Sequence, residues 1–243
     1  MFRLVVSLVA VAGFSWLFYL IYLELRNAHH VWHDPCITPR DVQDEVLLAI
    51  RAVREAFAGT GIRWWLDYGT LLGAWRLGRT MPFDHDADLS YLAEDKPLVE
   101  KCRDRLAAKG ITLNLDHGIL FYQGNKVGDL EAWHLFGGVR CREDPATREG
   151  LYIVMRPLFD DIPVALLDPL WQIKFEGDWY PCPNHPERLL RRRYPTCRIN
   201  LRLCFPHKQR CWFSSDFWKA AWSILWSREG PVLAQPGHAD PRP

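Results

Sequence analysis

A long uncharged run opens the chain, and shorter apolar patterns follow it. Residues 4–23 contain no Asp, Glu, Lys or Arg. As a helix, these twenty residues would be about 30 Å long, which matches the hydrocarbon core of a bilayer. Trp16, Tyr19 and Tyr22 lie in the second half of the run, where aromatic residues of a membrane interface are expected. The pattern predicts a transmembrane signal anchor over residues 4–23, after a cytosolic tail of residues 1–3.

A cleaved signal peptide is the alternative for this run, because Ala10-Val11-Ala12 resembles a cleavage site. Cleavage there would leave a new terminus that is still apolar, which favours the anchor. Arg3 and the terminal amine precede the run, whereas Glu24 and Arg26 nearly cancel after it. The positive-inside rule therefore predicts a single-pass type II protein of the Golgi or endoplasmic reticulum membrane, with its folded part in the lumen.

Beyond a stem at residues 24–37, the hydrophobic pattern predicts a folded domain over residues 38–212. Apolar residues recur at helical spacing over 42–57, and Thr38-Pro39-Arg40-Asp41 before them is typical of a capping box. The later patterns predict strands at 63–67, 83–91 and 129–136, a hairpin at 111–115 and 118–123, and helices at 71–76, 96–109 and 186–194. Residues 140–150 are predicted to form a charged loop, and the proline-rich residues 157–186 to be irregular.

A tryptophan-rich helix is predicted over residues 213–228. Its apolar side chains share one face: Phe217, Trp218, Ala221, Trp222, Leu225 and Trp226. Packing of this face onto the core is favoured over a position on the membrane surface. The proline-rich residues 229–243 are predicted to be disordered, and the arginines at 191–193 to be a solvated helix end.

Net charge and cysteine content exclude some classes of function and suggest where the protein resides. The formal charge of +1 argues against a nucleic-acid-binding protein, which usually has a basic face. All seven cysteines follow the predicted anchor, so a lumenal location would permit disulfides, and the odd number leaves at least one cysteine outside an intrachain pair. Cys182, Cys197, Cys204 and Cys211 cluster, but the chain has no C-x-x-C motif, so disulfides are favoured over zinc.

Candidate chemistry is concentrated in DYGTLLGAWRLGRTMPFDHDADLSYL, residues 67–92. Asp84, Asp86 and Asp88 alternate, so on a strand their carboxylates lie on one face and repel one another unless a cation is bound between them. Such oxygen ligands favour Mg²⁺ or Mn²⁺ over zinc. A solvated acidic loop is the alternative, but three aspartates beside a buried strand fit it less well. An EF-hand is excluded, because the glycine and the glutamate that its loop requires are absent.

Residues that suit an anion lie just upstream of the aspartates. Gly69-Thr70 predicts a tight turn with free backbone N–H groups near a helix start. Arg76 is suited to hold a phosphate oxygen, with a surface salt bridge as the alternative. Together with the aspartates, these residues predict a site that binds a metal and a phosphate.

The same segment, extended to WWLDYGTLLGAWRLGRTMPFDHDADLSYL, resembles the signature block of the LicD/fukutin family. Two later segments, DLEAWHLF and DPLWQIKFEGDWYPCPNHPERLLRRRYP, are also similar to segments of that family. The resemblance covers roughly residues 41–200. Phe83 stands where the family usually has tryptophan, and Pro195 where it usually has glycine. The chain also lacks the long stem domain of the fukutin group.

The resemblance implies an α+β fold, nucleotidyltransferase-like, with a mixed sheet flanked by helices. It also implies metal-dependent transfer of a phosphorylated alditol such as ribitol phosphate, or of phosphocholine, from a CDP-activated donor to a glycan or glycoprotein hydroxyl, with release of CMP. By position, the resemblance implies roles for these residues: Asp84, Asp86 and Asp88 as metal ligands and catalytic residues, Glu131 as the further acidic residue with Asp129 as a less well aligned alternative, and Gly69, Thr70 and Arg76 at the donor phosphates.

Several alternatives stay open at this level. Asp88 and Glu131 are both candidates for the base that accepts the proton of the attacking hydroxyl. A nucleotidyltransferase that releases pyrophosphate is the alternative enzyme. A lumenal scaffold or chaperone of the same fold is the alternative without catalysis, although three clustered carboxylates offer little to a pure binding module.

Overall fold

The computed structural model describes Ser15, residues 35–194, Cys211, and residues 214–226 and 230–235. Apart from Ser15, the predicted anchor over residues 4–23 lies outside the described residues. Within the described part of the chain, every helix is too short or too polar to cross a bilayer.

Eight α-helices and ten strands are found in the described residues. The helices are α1 (Arg40–Phe57), α2 (Tyr68–Leu77), α3 (Lys96–Lys101), α4 (Arg103–Ala107), α5 (Tyr152–Met155), α6 (Val164–Leu167), α7 (Pro186–Arg193) and α8 (Ser215–Leu225). The strands are β1 (Trp64–Leu66), β2 (Ala87–Leu92), β3 (Ile111–Asn114), β4 (Ile119–Tyr122), β5 (Asn125–Phe136), β6 (Val139–Cys141), β7 (Ile162–Pro163), β8 (Trp171–Phe175), β9 (Asp178–Cys182) and β10 (Leu233–Ala234).

The strands form two sheets. The larger has the order β1-β2-β5-β4-β3, with β6 added to β5 and β7 to β6, and the smaller has the order β10-β8-β9. Only β2 and β5 are parallel; the other described pairs are antiparallel. Helix α1 packs on the larger sheet, and α2 packs between β2 and α7. This confirms the α+β class and the mixed sheet flanked by helices.

The β2–β5 pair has an unusually close approach. Ala87 lies opposite Gly128, and Asp88 lies opposite Asp129. A Cβ atom at Gly128 would be 2.6 Å from the carbonyl oxygen of Ala87 and 2.7 Å from its Cβ. Glycine is therefore required at this position for β2 and β5 to pair as they do. The pairing sets the two aspartates side by side.

Two local predictions were wrong. Helix α1 has no capping box: Pro39 is its N-cap and makes no side-chain hydrogen bond, while the backbone N–H of Thr38 donates to the carbonyl of Pro82 at 2.8 Å. Residues 157–186 are not irregular throughout, because β8 and β9 form an antiparallel hairpin there. The apolar residues Trp171, Ile173 and Phe175 of β8 do alternate, and within the two strands only Pro181 of β9 interrupts the pattern.

The C-terminal region also differs from the predictions. Leu233–Ala234 pairs with β8, so the predicted disorder of residues 229–243 is wrong for this segment. Helix α8 buries Phe217 and Ile224, but its tryptophans do not share the packed face: Trp218, Trp222 and Trp226 are 43%, 57% and 75% exposed.

A disulfide joins Cys36 to Cys211. The bond links the start of the folded domain to the residues that precede α8. Cys102, Cys141 and Cys182 are buried free thiols, while Cys197 and Cys204 lie outside the described residues. The expectation that disulfides form is therefore confirmed for one pair.

The close approach of β2 and β5 predicts the effect of one added methyl group. Gly128→Ala is expected to lower the free energy of unfolding by about 1–3 kcal/mol, because the new Cβ overlaps the backbone of Ala87. Urea denaturation measures the change. Gly230→Ala is the matched control, since a Cβ there meets nothing within 4 Å. A Gly128→Ala protein as stable as the control would contradict the strand spacing.

Candidate active site

An acidic cluster lies where β2 and β5 pair. Asp86, Asp88 and Asp129 each offer a carboxylate oxygen, and these oxygens lie within 4.8 Å of one another. Asp88 and Asp129 come from the two parallel strands, and Asp86 comes from the loop just before β2. Three carboxylates so close together are electrostatically unfavourable without a bound cation. The cluster can hold a divalent cation that prefers oxygen ligands.

The three aspartates predicted to alternate on a strand are arranged differently. Strand β2 begins at Ala87, so Asp84 and Asp86 precede it. Asp84 lies instead beside the first turn of α2, where a Cβ at Gly69 would be 3.2 Å from both of its carboxylate oxygens. Two members of the predicted triplet therefore join the cluster with Asp129, and the third lies against α2.

The N-terminus of α2 points at these carboxylates. The backbone N–H of Gly69 donates to Oδ2 of Asp88 at 2.7 Å. The hydroxyl of Thr70 accepts from the backbone N–H of Asp88 at 2.9 Å. A Cβ at Gly69 would be 2.9 Å from Asp88 Oδ2, so only glycine allows this approach. Gly69 and Thr70, predicted to bind donor phosphates, thus contact Asp88, because its carboxylate is the anion at the helix N-terminus.

Within the described part of the chain, the negative charge of the cluster is only partly offset by a protein cation, Lys126. Burial raises the pKa of Asp88 well above its ordinary value, and Asp86 and Asp84 raise it further, while the N–H of Gly69 opposes the shift. Lys126 Nζ lies 2.8 Å from Asp129 Oδ2, but its side chain is 46% exposed. A solvated ammonium group offsets little of this repulsion. The donor set and its uncompensated charge fit a bound Mg²⁺ or Mn²⁺.

Glu131 lies on the same face of β5 as Asp129 but is not part of the cluster. It is opposite Ser90 in the register. Its carboxylate accepts from Nη1 of Arg142 at 3.3 Å. Burial raises the pKa of Glu131, although Arg142 acts in the opposite direction. Asp129, the less well aligned alternative in the sequence, is the residue that the fold brings to Asp86 and Asp88.

Arg76 occupies the last turn of α2 and is 3% exposed. Its Nη1 lies 3.6 Å from the sulfur of Met81. Burial lowers the pKa of Arg76 to about 10, and Tyr194 opposes the shift. The phosphate contact predicted for Arg76 stays a prediction.

Behind the cluster, Asp67 is a fully buried carboxylate with several partners. It is the N-cap of α2 and accepts from the N–H of Tyr68. The hydroxyl of Ser90 on β2 donates to Asp67 Oδ2 at 2.7 Å, and Nε1 of Trp133 on β5 donates to Ser90 Oγ at 2.9 Å. Arg193 Nη1 donates to the other oxygen of Asp67. These bonds fix α2, β2, β5 and α7 relative to one another.

Arg193 is also stacked on aromatic rings. Its guanidinium carbon lies 3.9 Å from the ring centroid of Tyr68 and 5.2 Å from that of Trp133. Burial alone would lower the pKa of Arg193, but Asp67 raises it above its ordinary value, so the side chain stays charged. The prediction of a solvated helix end at 191–193 was wrong for this arginine, because Asp67 lies far away in sequence and next to it in the fold.

Tyr68 connects the buried Asp67–Arg193 pair to Asp160 and Arg142. Its φ of +34° is rare for a residue other than glycine. The phenol donates to Asp160, which also accepts from Arg142 Nη2 at 3.0 Å. Arg142 in turn contacts Glu131. A continuous polar network therefore runs from Asp67 past Tyr68 to Glu131.

None of Asp67, Ser90, Trp133, Arg193 and Arg142 was predicted as part of the site. Asp67 carried a detectable signal, since an aspartate directly before a helix is a typical N-cap. The others carried none, because their roles depend on contacts between distant segments.

Breaking the buried Asp67–Arg193 ion pair is predicted to cause a large loss of stability. Arg193→Gln is expected to lower the free energy of unfolding by about 3–5 kcal/mol, because it leaves Asp67 charged and buried without its partner. Arg191→Gln is the control: Arg191 pairs with Glu187 at the surface, and its loss should cost less than about 1 kcal/mol. Urea denaturation compares the two. Equal losses would contradict a special role for the buried pair.

The amino-acid sequence matches a known protein family and is similar to two curated proteins. Residues 61–185, more than half of the chain, match the LicD/FKTN/FKRP nucleotidyltransferase domain. The chain is 24% identical over 182 residues to the Mus musculus ribitol 5-phosphate transferase FKRP, covering 67% of this chain and 33% of that protein. It is 34% identical over 79 residues to the Homo sapiens ribitol 5-phosphate transferase FKRP, covering 30% and 14%. The chain thus spans about one third or less of these curated relatives.

Two solved structures of the antibiotic-resistance factor ANT(2'')-Ia are also similar. The solution structure has a TM-score of 0.39 at 16% identity, covering 75% of this chain and 89% of that one. The crystal structure with adenylyl-2''-tobramycin has a TM-score of 0.40 at 13% identity, covering 74% and 97%.

The matched residues 61–185 include α2, β2 and β5, and with them the whole acidic cluster. By this match, the chain belongs to the LicD/FKTN/FKRP family.

Proposed function

We propose that this protein is a metal-dependent transferase that moves a phosphorylated alditol, such as ribitol phosphate, from a CDP-activated donor to a glycan hydroxyl and releases CMP. The observation that supports it most is the cluster of Asp86, Asp88 and Asp129 at the N-terminus of α2. Family membership supports it too, as does the similarity to proteins named ribitol 5-phosphate transferase. Phosphocholine is the alternative transferred group.

Asp86, Asp88 and Asp129 would hold the divalent cation, with Asp84 next to them. The cation would neutralise the negative charge that develops on the donor phosphates during transfer. Gly69 and Thr70 support this role indirectly, since both fix the position of Asp88. The attacking hydroxyl belongs to the acceptor, and CMP is the leaving group.

Glu131 is our preferred base for the hydroxyl proton, over Asp88. The carboxylate of Asp88 is already held by the N–H of Gly69 and lies within the cluster. Glu131 is outside the cluster, its side chain is 34% exposed, and burial raises its pKa. A base with a raised pKa accepts a proton more readily near neutral pH. Arg142 keeps this carboxylate oriented.

The Golgi or endoplasmic reticulum membrane is the proposed location, with a single-pass type II anchor over residues 4–23 and a lumenal catalytic domain. The uncharged N-terminal run supports an anchor. The Cys36–Cys211 disulfide supports the lumen, because such bonds persist in oxidising compartments.

The cluster predicts which substitutions abolish transfer. Asp86→Asn and Asp129→Asn should each reduce the turnover of CDP-ribitol by at least about 100-fold, because each removes a ligand charge from the cation. Calorimetry should show weakened Mn²⁺ binding by both variants. Asp116→Asn, in the exposed β3–β4 turn, is the control and should behave as wild type. EDTA should abolish turnover of the wild-type protein.

The same assay distinguishes the alternatives. Full turnover in EDTA or in both variants would rule out the metal assignment. True nucleotidyl transfer, a candidate because the matched domain is described as a nucleotidyltransferase domain, would release pyrophosphate from a nucleoside triphosphate instead of CMP from a CDP-linked donor. Failure to bind CDP-ribitol, CDP-glycerol and CDP-choline in the presence of Mn²⁺ would favour the scaffold.

Glu131→Gln separates the base from the metal ligands. It should lower kcat by about 10²–10⁴-fold, because the variant cannot accept the proton, and it should leave Mn²⁺ affinity near that of wild type. Stopped-flow turnover and Mn²⁺ titration measure the two effects. Its ion pair with Arg142 is partly exposed, so stability should change by less than about 1 kcal/mol. Weakened metal binding in this variant would instead make Glu131 a ligand.

A further inference from the structure

Helix α8 exposes a stripe of tryptophans that the proposed transferase does not use. Trp218, Trp222 and Trp226 are spaced by four residues and are 43%, 57% and 75% exposed. On the opposite side, Phe217 and Ile224 are buried. We call the three residues the tryptophan stripe. A contiguous exposed aromatic patch of this kind marks an interaction surface.

The increasing exposure follows from helix geometry. Each residue of an α-helix turns by about 100°, so a step of four residues advances by about 40° beyond a full turn. Trp218 therefore lies at the flank of the buried face, Trp222 farther out, and Trp226 on the outer side. The polar residues Asp216 and Lys219 pair with each other at 2.9 Å. By the same rotation Lys219 lies about 20° from Trp226, so the polar side of the helix begins at the outer end of the tryptophan stripe.

A disulfide links the segment just before α8 to Cys36, which lies close in sequence to the predicted membrane anchor. Cys211 lies three residues before Ser214, the N-cap of α8, and is bonded to Cys36. The uncharged run over residues 4–23 ends thirteen residues before Cys36. Even fully extended, those residues span only about 45 Å. The start of α8 is therefore held within reach of any membrane that the anchor crosses.

We propose that α8 lies at the membrane–water interface, with the tryptophan stripe among the lipid headgroups. Tryptophan suits this layer because its ring is largely apolar and its N–H needs a polar partner. The Asp216–Lys219 sector then faces water, as in other interfacial helices. The favoured expectation from sequence, packing of the whole apolar face onto the core, holds for Phe217 and in part for Ala221, but not for the three tryptophans. The proposal rests on the proposed anchor and is independent of the transferase activity.

Fluorescence quenching by brominated lipids tests the contact. The 243-residue chain is reconstituted into nanodiscs of phosphatidylcholine, with or without bromine on the acyl chains near the headgroup. The stripe contains three of the twelve tryptophans, so the brominated discs should quench up to about one quarter of the emission through it. In the variant Trp218→Phe/Trp222→Phe/Trp226→Phe, this part of the quenching should disappear and only that of other membrane-exposed tryptophans should remain.

The control variant removes three half-buried tryptophans elsewhere, Trp75→Phe/Trp171→Phe/Trp179→Phe. It should lose total emission but keep the wild-type quenched amount. Phenylalanine retains the apolar character of the stripe, and circular dichroism checks that each variant folds. Equal quenching of the stripe variant and wild type would overturn the proposal. So would a stripe variant that loses self-association in unbrominated discs without any change in quenching, since a second copy would then cover the face.

Discussion

The parallel pairing of β2 with β5 is the constraint on which the site depends. Carboxylates brought together by a fold repel one another, so only a fixed register can hold them in place. In this register Asp88 stands beside Asp129, and the strands approach so closely that a Cβ at Gly128 would overlap Ala87. The sheet thus creates a concentration of negative charge that the surrounding elements must support.

Helix α2 and Arg193 stabilise this negative charge through two sets of contacts, one to Asp88 and one to Asp67. The first turn of α2 donates the N–H of Gly69 to Asp88, which stabilises its charge through the helix dipole. Asp67 at the same end of the helix would compete for this role as a second anion. Arg193 neutralises Asp67 from α7 and stacks on Tyr68. Ser90 on β2 donates a hydrogen bond to Asp67, and Trp133 on β5 donates one to Ser90. The positions of both strands therefore depend on the Asp67–Arg193 pair.

The sequence predicted the family from its local motifs, and the resemblance to that family implied the α+β mixed sheet. It favoured Glu131 over Asp129 as the further acidic residue, whereas the fold brings Asp129 to Asp86 and Asp88. Two residues apart on one strand, Asp129 and Glu131 share a face, so alternation treats them alike. The register decides, and it includes the close contact between Gly128 and Ala87, which are forty-one residues apart in sequence. Arg193 was missed for the same reason, because its burial depends on Asp67.

The two acidic residues of β5 illustrate how one strand face can hold two chemical roles. Asp129 lies within the cluster, next to a solvated lysine that a metal ion can displace. Glu131 lies one side-chain position farther along, outside the cluster, and in the described part of the chain it pairs with Arg142, which is shared with Asp160. Removing the Glu131 carboxylate would leave Arg142 bound to Asp160, so the network behind Tyr68 can persist. A proton acceptor at Glu131 is therefore separable from both the metal ligands and the buried ion pair.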